Sequence, residues 1–140
     1  MQNHSAVEHY CETFEYDYIN TPEFSSEIST HTHNGWEFLF IKSGRLTYTV
    51  DGNVYDIAPN NLIISRPGAV HTLHPKGAIS YERQSLIITG TLLYKNIAEQ
   101  INSDLHVLDV SENNIILGLF DRISFYLSHL QSEHLDRRYR

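Results

Sequence analysis

A mainly β body followed by two C-terminal α-helices is what this sequence predicts, and three observations predict it. Up to residue 90, short apolar runs alternate with turn-forming residues, the pattern of a sandwich or barrel. Asp51-Gly52 lies between two such runs, Arg45–Val50 and Val54–Ile57, and has the chemistry of a two-residue hairpin turn. After Gly90 the apolar period lengthens to that of a helix.

Residues 1–10 read as an N-terminal arm. Cys11–Tyr18 alternates aromatic and acidic residues, with Phe14, Tyr16 and Tyr18 on one face, and reads as a strand. Residues 19–30 are rich in Ser, Thr, Asn and Pro and read as loop. Glu37–Lys42 is apolar on both faces, which predicts a strand buried on both sides. Leu62–Ser65 and Tyr81–Thr89 complete the strands. Leu92, Leu93, Ile97 and Ile101 then recur at helical spacing. Ser111, read as an N-cap, precedes Ile115, Ile116, Leu119, Phe120, Ile123, Tyr126, Leu127 and Leu130, an amphipathic helix of about 25 residues. Gly118 costs that helix about 1 kcal/mol of propensity against Ala, but would admit a partner helix closely.

The chain has 140 residues, the size of one domain with a real core. Its hydrophobic content of 41% and charged content of 19% are those of an ordinary soluble protein. A net charge of −7 argues against nucleic-acid binding, which needs a basic face. Arg137, Arg138 and Arg140 read as solvated surface. A single cysteine, Cys11, excludes an internal disulfide and fits a reducing cytoplasm, where the protein is expected to reside. The run Ile115–Phe120 is far too short to cross a membrane, and Gln2, Asn3 and His4 do not open a signal peptide.

The chemistry concentrates in His31-Thr32-His33-Asn34-Gly35-Trp36-Glu37, closed by Gly44, and in Arg66-Pro67-Gly68-Ala69-Val70-His71. His31, His33 and Glu37 share parity, so on one strand they would share a face. Asn34-Gly35 is itself a hairpin signal that would place His33 and Glu37 on different strands, and in either case the three side chains could still converge. Three imidazoles and a carboxylate suit Fe, Mn, Ni, Cu or Zn. The structural alternative is a polar pocket floor with the histidines bonded to the carboxylate and water. Trp36, Tyr48, Tyr55, Tyr81 and Arg83 can line a pocket, since aromatic faces stack on sugar rings and Arg pairs with carboxylates; otherwise they are core. His74 reads as a support to His71, and the other histidines as surface.

The spacing H-x-H-x3-E-x6-G followed by P-G-x2-H resembles the paired motifs of the cupins, small β-barrel proteins. More closely, the run resembles the sugar-binding and dimerisation domain of AraC-type transcription regulators. The resemblance rests on Trp36–Gly44, Tyr48–Pro59, Asn61–His71 and Tyr81-Glu82-Arg83, covering roughly residues 28–90. Asn60 stands where the cupin pattern has Gly, and Asn can adopt the same left-handed backbone. The resemblance implies a cupin-type double-stranded β-barrel over residues 11–90 that binds a small-molecule effector, and a helical dimerisation segment over 91–140. Leu119, Ile123, Tyr126, Leu127 and Leu130 are its expected dimer contacts, within a helix spanning 112–135. Because Arg140 still lies in helix-forming sequence, a C-terminal helix-turn-helix domain is expected beyond this chain, and DNA would be bound only through it. On this reading the chain is a homodimer, no enzyme, with no membrane partner and no required cofactor. His31, His33, Glu37 and His71 nonetheless admit a divalent transition metal, and the alternative is a metal-dependent cupin enzyme, a dioxygenase or isomerase.

Overall fold

The computed structural model describes residues 5–10, 14–26, 28–31, 35–89, 99–101 and 104–138. The strands are β1 (Ser5–Tyr10), β2 (Phe14–Phe24), β3 (Ile28–His31), β4 (Gly35–Ser43), β5 (Leu46–Val50), β6 (Asn53–Ile57), β7 (Asn61–Ser65), β8 (His71–Pro75), β9 (Ile79–Thr89) and β10 (Val107–Asp109). The helix is α1 (Asn114–Arg138). Two antiparallel sheets form among the described residues, one in the order β1-β2-β9-β4-β7-β10 and one in the order β3-β8-β5-β6.

The sheets face each other across a core of Leu39, Ile41, Leu46, Tyr48, Val50, Ile57, Ile63, Leu73 and Tyr81, drawn from both. A second apolar layer lies on the outer face of the larger sheet. Trp36, Phe40, Leu62 and Ile64 pack there with Val110 and with Phe120 of α1. Strand β4 serves both layers, because its odd residues Leu39 and Ile41 point between the sheets and its even residues Trp36 and Phe40 point to the helix. Phe40 and Phe120 stack with ring centroids 4.9 Å apart. Burying a side chain of that size is worth about 1.5–3 kcal/mol.

Local chemistry sets the turns. Asp51 and Gly52 have φ of 48° and 79°, the positive pair that a two-residue hairpin requires, and Val50 pairs directly with Asn53. Asn60, at φ 67°, takes the left-handed backbone expected of it. Gly35 answers a close approach, since a Cβ there would sit 2.4 Å from the carbonyl oxygen of Ile88.

Several expectations need correction. The N-terminal arm is in part a strand: β1 pairs with β2 from Ser5↔Asn20 to Tyr10↔Glu15. Residues 19–24, expected as loop, continue β2 against β9, and 28–31 form β3. Phe24 and Ile28 anchor these polar segments, both packing on the inter-sheet core, with Phe24 stacked on Tyr81 at 4.9 Å between ring centroids. The expected barrel is not closed among the described residues; it is two separate sheets. The chain crosses between sheets through turns such as Gly44-Arg45, Ala58–Asn60 and Arg66–Val70, where the ladder stops. Among the described residues one full helix, α1, is present where two were expected. Glu99 and Gln100 are helical, and the rest of the first expected helix, with Leu92, Leu93 and Ile97, lies outside the described residues. The N-cap of α1 is Asn113, not Ser111: Asn113 Oδ1 accepts from Ile116 N at 3.0 Å, three residues on. Ser111 N instead donates to Asp109 Oδ1. Gly118 has nothing within 4 Å of where a Cβ would be, so no neighbour among the described residues demands it. No helix among the described residues is long and apolar enough to cross a membrane.

Candidate functional site

Glu37 and His71 meet between the sheets because two local signals aim them there. Glu37 has the parity of Leu39 and Ile41 on β4, so the pleat turns it inward. Its cross-strand partners are Ser65 on β7 and Ile87 on β9. His71 opens β8 just after a tight turn, in which Ala69 N donates to Arg66 O at 3.1 Å and Gly68 takes φ 78°. Pro at the second and Gly at the third position are what a type II turn calls for. Both side chains are buried, His71 at 2% and Glu37 at 5% exposure, so their charges are shielded from water.

His71 Nε2 lies 3.4 Å from Glu37 Oε1, and its Nδ1 lies 3.0 Å from the carbonyl oxygen of Ala69. With a carbonyl on one nitrogen and a carboxylate on the other, both nitrogens are placed to donate. Burial alone would lower the His71 pKa, but the hydrogen bonds to Glu37 and Ala69 and the charge of Glu37 outweigh it, and the pKa is raised. Tyr48 stands beside this pair, its ring 5.9 Å from that of His71 and its hydroxyl 2.7 Å from Ser65 Oγ. Burial pushes Tyr48 up to about 12 against the pull of the Ser65 hydrogen bond, so it stays a neutral phenol. Tyr81 is likewise pushed up to about 12 by burial, against the pull of Arg83.

Of the four expected metal ligands, the described side chains are those of Glu37 and His71, and the structure brings these two together. His31 and Glu37 stand on different strands in different sheets, β3 and β4, so the parity counted along the motif does not place them on one strand face. His31 remains relevant, because it is the register partner of His71 on β3. His33 lies outside the described residues. Of the expected pocket residues, Tyr48 and Tyr81 belong to the inter-sheet core. Arg83 is the cross-strand partner of Ile41 and is committed to Asp17, with Nη2 donating to Oδ2 at 2.8 Å and Nη1 to the backbone carbonyl at 2.9 Å. It therefore presents no open fork to a ligand carboxylate. Trp36 is on the opposite face of β4, in the helix layer, with the Arg66 guanidinium 5.1 Å from its ring centroid. Ser65 and Asp17 were not singled out from sequence. The period-two parity of their strands would have found both, one opposite Glu37 and one on the reverse face from Tyr16 and Tyr18.

Among the described residues no group of three or more His, Cys, Asp and Glu could hold a metal ion. Glu37 and His71 nevertheless fit part of such a site, since a carboxylate faces an imidazole nitrogen whose partner nitrogen is fixed by a backbone carbonyl. A metal held by these two residues would supply Lewis-acid chemistry there.

Residues 21–79 match the family model of the cupin domain. No curated protein matches the chain. Among solved structures, the cupin domain of Cnp3 from Schizosaccharomyces pombe is 16% identical with a TM-score of 0.55, over 74% of this chain and 76% of that one. An uncharacterised protein with a double-stranded β-helix domain from Klebsiella pneumoniae is 22% identical with a TM-score of 0.53, over 64% and 77%. An oxalate decarboxylase variant from Bacillus subtilis is 15% identical with a TM-score of 0.52, over 65% of this chain but 26% of that one. The fold is that of a cupin domain, and Glu37 and His71 lie in its interior.

The raised His71 pKa has a definite consequence for stability. The folded state holds the proton more tightly than the unfolded chain, whose value is 6.5. The stabilisation is therefore complete below that pH and is lost as pH rises through the folded value. Thermal melts from about pH 5 to about pH 9 should show the parent losing stability with rising pH and His71→Gln losing less. Equal slopes would remove the pair as the cause.

Proposed function

We propose that this chain is the effector-binding and dimerisation part of an AraC-type transcription regulator. A small molecule is bound between the sheets near Glu37 and His71. Helix α1 pairs with its copy in a second subunit, and DNA is contacted by a helix-turn-helix domain outside this chain. The observation that carries the reading is the two-sided character of α1. Phe120 is buried on the sheet and Ile116 and Leu117 pack around it, while Ile115, Leu119, Phe125 and Tyr126 stand 48–77% exposed. Ile115, Leu119 and Tyr126 lie at i, i+4 and i+11, one face of the helix and an apolar one. An isologous contact between two copies would cover it. Of the other expected contacts, Ile123 and Leu127 are half-buried, and the Leu130 side chain lies outside the described residues. The ordered run of motifs over residues 28–90 supports the regulator class, and the net charge of −7 leaves DNA contact to another domain.

A second reading, a metal-dependent cupin enzyme of the dioxygenase or isomerase type, is favoured by one observation, the buried Glu37–His71 pair with His31 in register beside it. Pro75, four residues after His71 where the cupin pattern often has Asn, weighs against it. In that reading Glu37 and His71 would hold the metal, and Tyr48 would stand beside them as a neutral hydrogen-bonding group.

Sedimentation at micromolar concentration should show the parent as a dimer and Leu119→Asp as a folded monomer. A parent that stays monomeric contradicts the dimer. Elemental analysis of untagged protein separates the two readings. Metal well below one equivalent, with a melt unchanged by chelation, is expected for the effector pocket. Stoichiometric metal, lost in Glu37→Ala and His71→Ala and accompanied by turnover of a small substrate, would put the enzyme first.

A further inference from the structure

Gln84 is fully buried at the centre of β9, on the face that carries α1. Its cross-strand neighbours are Phe40 on β4 and Tyr18 on β2. Its Nε2 donates to the Tyr16 hydroxyl at 3.0 Å and to the backbone carbonyl of Phe120, inside α1, at 2.9 Å. Tyr16 in turn hydrogen-bonds Ser124, one helical turn farther along. On the same face of the sheet lies the apolar layer of Trp36, Phe40, Leu62, Ile64 and Phe120. Gln84 Oε1 has no hydrogen-bond partner among the described residues, a cost that an apolar side chain would avoid. What the amide adds is position: two bonds one turn apart fix where α1 sits on the sheet and how it is rotated.

The same ladder carries a second bonded pair on its other face. Arg83 precedes Gln84, and Asp17 follows Tyr16. Arg83 holds Asp17 through both its carboxylate and its backbone carbonyl. Asp17 is the register partner of Ser85, and Ser85 that of Leu39, two residues from Glu37 on the inward face of β4. One pair faces the inter-sheet space and the other grips the helix. Single peptide units, Tyr16-Asp17 and Arg83-Gln84, join them.

We propose that Gln84 is a positioning residue that couples the inter-sheet space to the seat of α1 through this double pair. An occupant that displaces Asp17 or Arg83 shifts the adjoining peptides of β2 and β9. The Gln84–Tyr16 grip then carries that shift to Phe120 and Ser124, and so to the exposed face of α1. The use of this coupling in signalling rests on the effector reading; the coupling itself does not, and its test needs no ligand.

The test is a double-mutant cycle on the full chain, read by backbone amide hydrogen exchange across residues 117–127 of α1. The four proteins are the parent, Asp17→Asn, Gln84→Leu and the double variant. Asp17→Asn should speed exchange by about fivefold when Gln84 is present and by less than about twofold when it is Leu. The same factor in both backgrounds would make Gln84 merely structural and overturn the proposal, as would no change on Asp17→Asn. If Gln84→Leu loses its cooperative melt, Tyr16→Phe takes its place in the cycle, since it removes only the hydroxyl bridge, and the same non-additivity is expected.

Discussion

Strand β4 has no solvent face, and the rest of the molecule is arranged around that constraint. Leu39 and Ile41 close the space between the sheets while Trp36 and Phe40 form the seat of α1. Because a pleated strand alternates strictly, a shift of one residue would exchange the two sets and put Glu37 under the helix. Gly35, pressed against Ile88, and Gly44, at φ 115°, bracket the strand and pin its register.

With that register set, Glu37 needs a partner, because a lone buried carboxylate is costly and removing one member of a buried ion pair costs about 3–5 kcal/mol. His71 is that partner, delivered from the opposite sheet by the Pro67-Gly68 turn. The pair thus ties the two sheets together at a polar spot in an apolar interior. A buried pair of this kind is weak evidence for stability as such, because well-packed apolar residues can do as well. The effector and metal proposals both draw on these two residues. Strand β9 links this spot to the helix, with Arg83 on one face and Gln84 on the other.

What was legible in the sequence was local. The turn at Asp51-Gly52, the left-handed Asn60, the two-faced β4, the turn before His71 and the 25 residues of α1 each follow from a few adjacent residues. What was not legible depended on partners far away in the chain. Ser5–Tyr10 shows no apolar alternation in sequence, and pairing with β2 makes it a strand. The motif that joins His31 to Glu37 in sequence crosses from one sheet to the other, so parity counted along it has no meaning across the break. Parity within β4 was readable, and it would have assigned Trp36 to the face opposite Glu37. Ser111 and Asn113 are both good caps by type, and the choice between them is made by where β10 releases the chain.

Trp36 is the only tryptophan in the chain, which gives the central claim a direct probe. If β4 divides as described, Trp36 fluorescence is blue-shifted and poorly quenched by iodide. Phe120→Ala, which opens the helix layer, should increase the quenching, while His71→Gln, on the other side of the strand, should leave it unchanged. A Trp36 that is quenched freely in the parent, or that responds to His71→Gln and not to Phe120→Ala, would contradict the two-faced strand and with it the placement of Glu37.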